Sequence, residues 1–277
     1  MPRRRLLQRF VISYCVVYII IARIFVGVIM KKRYKWIVPI CIAGAFALLG
    51  ALLYNGVIHI NNPSLREYPV RGVDVSGYQG LIDWDVLASQ DIRFAYIKAT
   101  EGSGMQDEMF KTNWQAATKT SLKVGAYHFF SFESPGNTQA DNYIRTVPKL
   151  KGGLPPAVDL ELYGKYSELP PSRAEISREL DSMLVKLEKH YGKKPVIYVT
   201  SRSYKLYIQG GYTENPIWIG SVITKPILPD GHRWTFWQYS ARHALPGYAG
   251  EERFIDMNAF SGSPAQFEAL CGVNMDE

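Results

Sequence analysis

The chain has 277 residues, of which 47% are hydrophobic and 21% charged, a balance that excludes a wholly disordered protein or a coiled coil. The formal net charge of +7 is unevenly spread, because residues 1–61 contain nine Lys or Arg and no Asp or Glu, and the rest of the chain has a net charge of −2. The sequence therefore gives no indication of nucleic acid binding by the folded part. Cys271 stands alone after residue 61, which excludes a disulfide or a cysteine-based metal site in that part.

Two long apolar runs open the chain, at residues 10–30 and 36–60. Each is as long as the roughly 20 residues needed to cross a hydrocarbon core. Basic clusters precede them at residues 3–5 and 31–35. Short basic flanks prefer the cytoplasmic side of a membrane, so a hairpin of two spans would misplace one cluster. A start at Met30 removes this conflict, because the N-terminus then has the form of a signal anchor.

Four parts of the chain are predicted on this basis. Residues 1–35 form a basic and apolar extension of which 1–29 are not translated, and residues 36–60 form a transmembrane signal anchor. Residues 61–69 form a polar linker, and residues 70–277 form the folded domain. The anchor places this domain outside the cytoplasmic membrane, periplasmic or extracellular. Cleavage of the anchor and secretion is the alternative.

Short apolar runs that favour β-strands recur along the domain. They cover residues 70–77, 92–100, 123–132, 155–164, 194–201, 217–222, 234–241 and 253–260. Helical patterns separate the early runs at residues 109–121, 139–146 and 172–191, the last opened by a capping box of Ser172 and Glu175. The helical signal fades after about residue 203. An α/β alternation that loses its helices late predicts an irregular barrel.

Four carboxylates fall in predicted strands or at their ends, where acidic residues are uncommon. They are Asp74, Asp159, Glu161 and Asp256. Asp159 and Glu161 are two residues apart, so a strand presents both on one face, roughly 6–7 Å apart, and turns Val158 and Leu160 to the other. Crowded carboxylates raise the pKa of one of them, as a general acid requires. The structural alternative is a pair of carboxylates bound to arginine or to backbone groups.

Aromatic and polar residues accompany these acids near the strand ends. The candidates for sugar binding are Tyr78, Gln79, Lys98, Glu101, Tyr127, Tyr198, Trp237 and Tyr239. Aromatic rings suit the C–H faces of sugars, and Lys98 with Glu101 forms either an ion pair behind the site or a contact with the substrate. No cluster has the spacing of metal ligands, so no metal or cofactor is predicted.

Seven motifs in order resemble glycoside hydrolase family 25, the Chalaropsis-type lysozymes. They include GVDVSGYQGLIDW at residues 72–84, PAVDLELY at 156–163 and IDMNAF at 255–260, and together they cover nearly all of residues 70–262. The resemblance implies a flattened barrel of five β/α units followed by about three strands. It also implies hydrolysis of the β-1,4 bond between N-acetylmuramic acid and N-acetylglucosamine in peptidoglycan.

The resemblance also implies roles for individual residues. Glu161 matches the family's general acid and Asp159 its carboxylate neighbour, which acts on the substrate or its N-acetyl group. Asp74 and Asp256 match flanking acids, and Tyr127, Tyr198 and Trp237 match positions that line the groove. Peptidoglycan and the membrane are the expected partners, with no nucleic acid and no obligate protein partner. Two alternatives remain open, a wall-binding module without activity and a lysin released by cleavage.

Overall fold

The computed structural model describes residues 36–272, which belong to two compact units, residues 1–57 and 58–277. The predicted extension at residues 1–35, with its first apolar run and the proposed start at Met30, lies outside the described residues. Each unit is described by itself below.

The described part of the first unit is dominated by one apolar helix. Helix α1 covers Ile37–Tyr54, contains no charged residue and buries none of its side chains within the protein. Its 18 residues span about 27 Å at 1.5 Å per residue, close to the thickness of a hydrocarbon core. By length and composition, α1 is a candidate membrane segment or signal sequence.

The second unit is built on a closed barrel of eight strands. The described strands are β1 Arg71–Val75, β2 Phe94–Glu101, β3 Met105–Gln106, β4 Lys123–Phe129, β5 Ala157–Leu160, β6 Val196–Thr200, β7 Ile217–Gly220, β8 Trp234–His243 and β9 Ile255–Phe260. The two-residue β3 pairs only with β2, and the other eight close the barrel through the β1–β2 and β1–β9 pairings. Each of the eight runs predicted from the sequence overlaps one barrel strand, and β2 and β8 extend past their runs by one and two residues.

Strand direction accounts for only part of the late loss of helices, because β7 and β8 are parallel neighbours and yet residues 221–233 between them contain no helix. Seven barrel strands are parallel, whereas β9 is antiparallel to both of its neighbours, β8 and β1. Parallel neighbours need long crossover connections, usually helical, but an antiparallel neighbour does not. Helical segments accordingly follow β1, β2, β4, β5 and β6. They are α2 Trp84–Ala88, α3 Phe110–Ala117, α4 Gly136–Thr146, α5 Arg173–Tyr191 and α6 Ser201–Ser203, and α7 Pro264–Leu270 follows β9.

Helix α5 begins and ends as its sequence predicts. The Ser172 hydroxyl accepts the Glu175 backbone N–H, the Glu175 side chain accepts the Ser172 backbone N–H, and Gly192 ends the helix at φ 71°. Helix α3 is shorter than predicted and α4 begins three residues earlier, at Gly136.

The strands separate two apolar layers. Val158 and Leu160 of β5 face outward into the layer shared with the helices, whereas Ala157 joins the layer inside the barrel. Large rings fill that interior, as in the Tyr96–Trp218 stack with centroids 5.0 Å apart. The pleat therefore turns Asp159, between the two outward residues, to the inside of the barrel, as the sequence predicts.

The segment before β1 packs on the barrel. Tyr68 is buried and its ring lies 5.9 Å from those of Trp234 and Trp237. Asn61 donates a side-chain hydrogen bond to the Ser221 carbonyl, 3.2 Å away. Residues 58–69, which include the predicted polar linker, therefore cover part of the outer surface near β7 and β8, the two strands that no helix follows.

Leu180 and Val185 share helix α5 but differ in burial, being 0% and 66% exposed respectively. Leu180→Ala should lower the free energy of unfolding by about 2–5 kcal/mol, because it leaves a cavity in the outer layer. Val185→Ala, the matched control, should change it by less than about 0.5 kcal/mol. Urea unfolding of the detergent-solubilised chain, followed by tryptophan fluorescence, measures both. Equal losses would contradict the placement of the buried face of α5.

Candidate active site

Four carboxylates meet at one end of the barrel. Asp74 is near the end of β1, Asp159 near the end of β5, and Glu161 follows β5 directly. Asp256 is the second residue of β9, and because β9 is antiparallel its beginning lies beside the end of β1, where Asp256 is the register partner of Asp74. All four side chains line one cavity of about 360 Å³.

The rest of this cavity is both aromatic and polar. Its other lining residues are Ser76, Tyr78, Lys98, Tyr127, Phe129, Tyr198, Trp218 and Gln238. Tyr78, Lys98, Tyr127 and Tyr198 are among the residues predicted from the sequence. A second cavity of about 600 Å³ shares Ser76, Tyr78 and Lys98 with the first and adds Glu101, so the site continues as a groove. Lys98 and Glu101 form an ion pair of 2.8 Å along this groove.

Trp237 and Tyr239 do not line either cavity. Trp237 is 3% exposed, lies in the outer layer against Tyr68, and donates its indole N–H to the Ser221 carbonyl at 2.8 Å. Tyr239 is buried in the same layer. The reason is the pleat of β8: Gln238 points into the barrel, so its two neighbours point out.

Gln79 closes a turn rather than lining the site. Its side chain accepts the Ser76 backbone N–H at 2.8 Å and donates to the Phe254 carbonyl at 3.1 Å, holding the loop after β1 against the segment before β9. Both contacts satisfy buried polar groups. Gln79 therefore supports the rim of the cup in which the carboxylates lie.

The residues predicted from the sequence do not include Trp218 and Gln238, which both line the carboxylate cavity. Each stands between two outward-facing apolar residues, in IWIG and in FWQY. The alternation in these strands contains the signal, because a residue flanked by two outward neighbours must face the barrel interior. Reading β8 by this rule selects Gln238 in place of Trp237 and Tyr239.

Burial raises the pKa of all four carboxyl groups. The pKa of Asp159 lies well above the ordinary 3.8 because burial disfavours its charge and because Glu161 and Asp74 repel it. Burial, followed by the charge of Asp74, also raises the pKa of Glu161, against the pull of Lys98. Burial also raises the pKa of Asp256 well above its ordinary value of 3.8, and the charge of Asp74 adds to this effect. Burial and mutual repulsion therefore favour the protonated form of each carboxyl group in the cluster.

Asp74 differs from the other three acids in its hydrogen bonds. Burial raises its pKa, but side-chain donors on Asn258 and Gln238 oppose that effect, and its carboxyl group is hydrogen-bonded to that of Asp256. Asp159, in contrast, has a buried Oδ1 with no hydrogen-bond partner in the described part of the chain. Within residues 36–272 no group of three or more His, Cys, Asp or Glu side chains is arranged to hold a metal ion.

An α/β barrel with carboxylates and aromatic rings in one open cup suits the hydrolysis of a glycosidic bond, which uses paired carboxylic acids. A sequence model of Glycosyl hydrolases family 25 matches residues 73–248. The chain belongs to this family, and it is a glycoside hydrolase of the lysozyme type.

Relatives and solved structures agree with this family. Lysozyme M1 of Streptomyces globisporus is 32% identical over 221 residues, covering 73% of this chain and 71% of that protein. The uncharacterized protein YegX of Escherichia coli K12 is 34% identical over 209 residues, covering 74% of each chain. A family 25 glycosyl hydrolase from Bacillus anthracis superposes with a TM-score of 0.73 at 50% identity, covering 76% of this chain and 97% of that one.

Asp159→Asn should make the protein more stable at neutral pH. The native carboxyl binds its proton more tightly than the unfolded one, so the native state holds more protons above the ordinary pKa of 3.8, and wild-type stability falls as the pH rises through this window. The variant should therefore gain about 1 kcal/mol or more at pH 7, and the gain should shrink towards pH 4. Denaturant unfolding at both pH values measures it.

Asp91→Asn is the matched control, because Asp91 is exposed and lines neither cavity. Its effect on the free energy of unfolding should stay within about 0.5 kcal/mol at both pH values. A loss of stability in Asp159→Asn at pH 7 would contradict the assignment of a raised pKa to Asp159.

Proposed function

We propose that the protein hydrolyses the β-1,4 bond between N-acetylmuramic acid and N-acetylglucosamine in bacterial peptidoglycan, with Glu161 as general acid. The observation that carries the proposal is the pairing of two acids with unequal surroundings. Asp159 is 9% exposed inside the barrel, whereas Glu161 is partly exposed at its mouth. The choice of bond is supported by N,O-diacetylmuramidase of a Chalaropsis species. That protein is 28% identical to this chain over 202 residues, which cover 94% of its length.

Glu161 has the properties that proton donation requires. A general acid must keep its proton near neutral pH and must reach the leaving oxygen. Burial and the charge of Asp74 raise the pKa of Glu161, which favours the first condition. Its position one residue past β5, on the wall of the open cavity, meets the second.

Asp159 is suited to bind the substrate. Its buried Oδ1 lacks a hydrogen-bond donor among the described residues, and an unsatisfied buried acceptor is costly. The acetamido N–H or a hydroxyl group of a bound aminosugar supplies such a donor. We propose that Asp159 orients the N-acetyl group next to the bond that Glu161 protonates.

The groove gives the polymer a path through the site. Tyr127 and Tyr198 line the carboxylate cavity, and Tyr78, 67% exposed, lies where the two cavities meet. Exposed aromatic rings stack on the apolar faces of sugars. We propose that the glycan runs across Tyr78, from the 360 Å³ cavity into the 600 Å³ cavity beside Lys98 and Glu101.

The proposed setting of the enzyme follows from its substrate and from helix α1. Peptidoglycan lies outside the cytoplasm, and Ile37–Tyr54 is long and apolar enough to cross a membrane. We propose that α1 anchors the chain in the cytoplasmic membrane, with the barrel on the wall-facing side. Secretion after cleavage of this segment is the alternative.

Glu161→Gln should lower the rate of hydrolysis by about 10²–10⁴-fold, because glutamine keeps the shape of the side chain but donates no acidic proton. The release of reducing ends from purified peptidoglycan, with the full chain in detergent, measures the rate. Mass spectrometry of the wild-type digest should show muramic acid at the new reducing ends. Full activity in Glu161→Gln would exclude Glu161 as the general acid.

The control for this variant is Glu214→Gln, because Glu214 is exposed and lines neither cavity. It should keep the wild-type rate. The outcome also tests the wall-binding alternative: binding to isolated walls without release of reducing ends, unchanged by Glu161→Gln, would support a binding module in place of an enzyme.

Cell fractionation tests the proposed anchor. The full chain should sediment with membranes, resist a high-salt wash and enter solution in detergent, because α1 is held by burial of apolar surface rather than by charge. A soluble form that lacks residues 36–57 outside the membrane would contradict the anchor and support secretion.

A further inference from the structure

Two amide side chains hold one carboxylate at the base of the active site. Asn258, which is fully buried, donates from Nδ2 to Oδ2 of Asp74 at 2.7 Å. Gln238 donates from Nε2 to the same oxygen at 3.0 Å and to Oδ1 at 3.3 Å. The carboxyl group of Asp256 is hydrogen-bonded to Asp74 as well. Asp74 therefore sits among two amide donors and one acid.

The amides are fixed in this orientation by two further side chains. The indole of Trp218 can only donate, and its Nε1 donates to Oδ1 of Asn258 at 2.7 Å. The amide nitrogen of Asn258 must then face Asp74. In the same way the Tyr198 hydroxyl donates to Oε1 of Gln238 at 3.0 Å. Two chains of hydrogen bonds, one from Trp218 through Asn258 and one from Tyr198 through Gln238, therefore end on the carboxylate of Asp74.

We infer that Asn258 and Gln238 are positioning residues that hold Asp74 as the hydrogen-bond acceptor of the Asp74–Asp256 pair and so place the proton of this pair on Asp256. An amide N–H favours the ionised form of the oxygen it meets. Asp74 receives amide N–H groups from both residues, whereas no amide donor to Asp256 is found among the described side chains. The negative charge of the pair therefore stays on Asp74.

The negative charge on Asp74 affects the pKa of Glu161. This step of the inference rests on the proposed role of Glu161 as general acid. An ionised Asp74 repels charge on Glu161 and raises its pKa, so it keeps the general acid protonated. The other titratable groups that face the cluster lie on β2, β4, β5, β6 and β9 and on the loop after β1. They are Tyr78, Lys98, Tyr127, Asp159, Tyr198 and Asp256. The charge of Glu252, before β9, also raises the pKa of Asp256. Lys98 is the one cation among these lining residues, and it opposes the effect of Asp74 on Glu161.

Asn258→Leu should move the basic limb of the kcat–pH profile to lower pH. Without the amide, the pair binds its protons more readily, the charge on Asp74 falls, and the pKa of Glu161 falls with it. A shift of about one pH unit is expected, with about a tenfold loss of kcat above the limb and recovery of rate at lower pH. Reducing-end release by the full chain in detergent, measured from pH 4 to 9, gives the profile.

Asn113→Leu is the matched control. Asn113 is another buried asparagine that accepts a tryptophan indole, from Trp84 at 3.2 Å, but its amide donates to the backbone carbonyl of Gly80 and not to a carboxylate. Its loss should lower stability without moving the basic limb. If both variants move the limb equally, the effect is structural and the inference is overturned.

Asp256→Asn and Asp74→Asn test the inference without removing either amide. An amide at position 256 keeps the neutral state already assigned to that group, so the basic limb should stay in place. At position 74 the same change removes the charge, so the limb should move to lower pH. Equal shifts, or a larger shift in Asp256→Asn, would overturn the assignment of the proton. Loss of activity in Glu161→Gln with an unmoved limb in Asn258→Leu would overturn this inference alone.

Discussion

The structure depends on the crowding of four carboxyl groups at one end of the barrel. Asp74, Asp159, Glu161 and Asp256 line a single cavity of about 360 Å³ and are removed in part from water. Burial disfavours charge in such a place and the groups repel one another, so the pKa of each of the four is raised. The four carboxyl groups differ in the hydrogen-bond donors and cations beside them, which belong to the surrounding strands. The chemistry is therefore set by which neighbour each acid has, more than by the acids themselves.

The direction of β9 is what completes the cup. Asp256 is near the beginning of its strand, whereas Asp74 and Asp159 are near the ends of theirs. If β9 were parallel, its second residue would lie at the opposite end of the barrel. Because β9 is antiparallel to β8 and β1, Asp256 and Asp74 become register partners, and Asn258, two residues further on, reaches the same carboxylate. The pairing of β9 with β1 thus both closes the barrel and brings Asp256 and Asn258 to Asp74.

The sequence predicts the barrel strands and the inward face of Asp159 because both follow from a local pattern. Apolar alternation marks a strand, and flanking Val158 and Leu160 fix the side of Asp159. The placement of Trp237 could not be predicted from its ring, since a tryptophan suits a sugar groove and an apolar core equally well. The pleat decides, and the polar Gln238 indicates its sense. Strand direction at β9 is a long-range property and leaves no mark on its own residues.

Trp218 joins the packing of the barrel to the state of its acids. Its ring stacks on Tyr96 with centroids 5.0 Å apart and meets the edge of Tyr198 at 4.9 Å, so the core fixes the plane of the indole. That plane aims the indole N–H at Asn258, whose amide then has one allowed orientation. A residue that fills space inside the barrel thereby determines which oxygen receives a donor. The rigidity of an aromatic core is therefore useful to the chemistry, because a loosely packed indole would let the amide turn its oxygen towards Asp74.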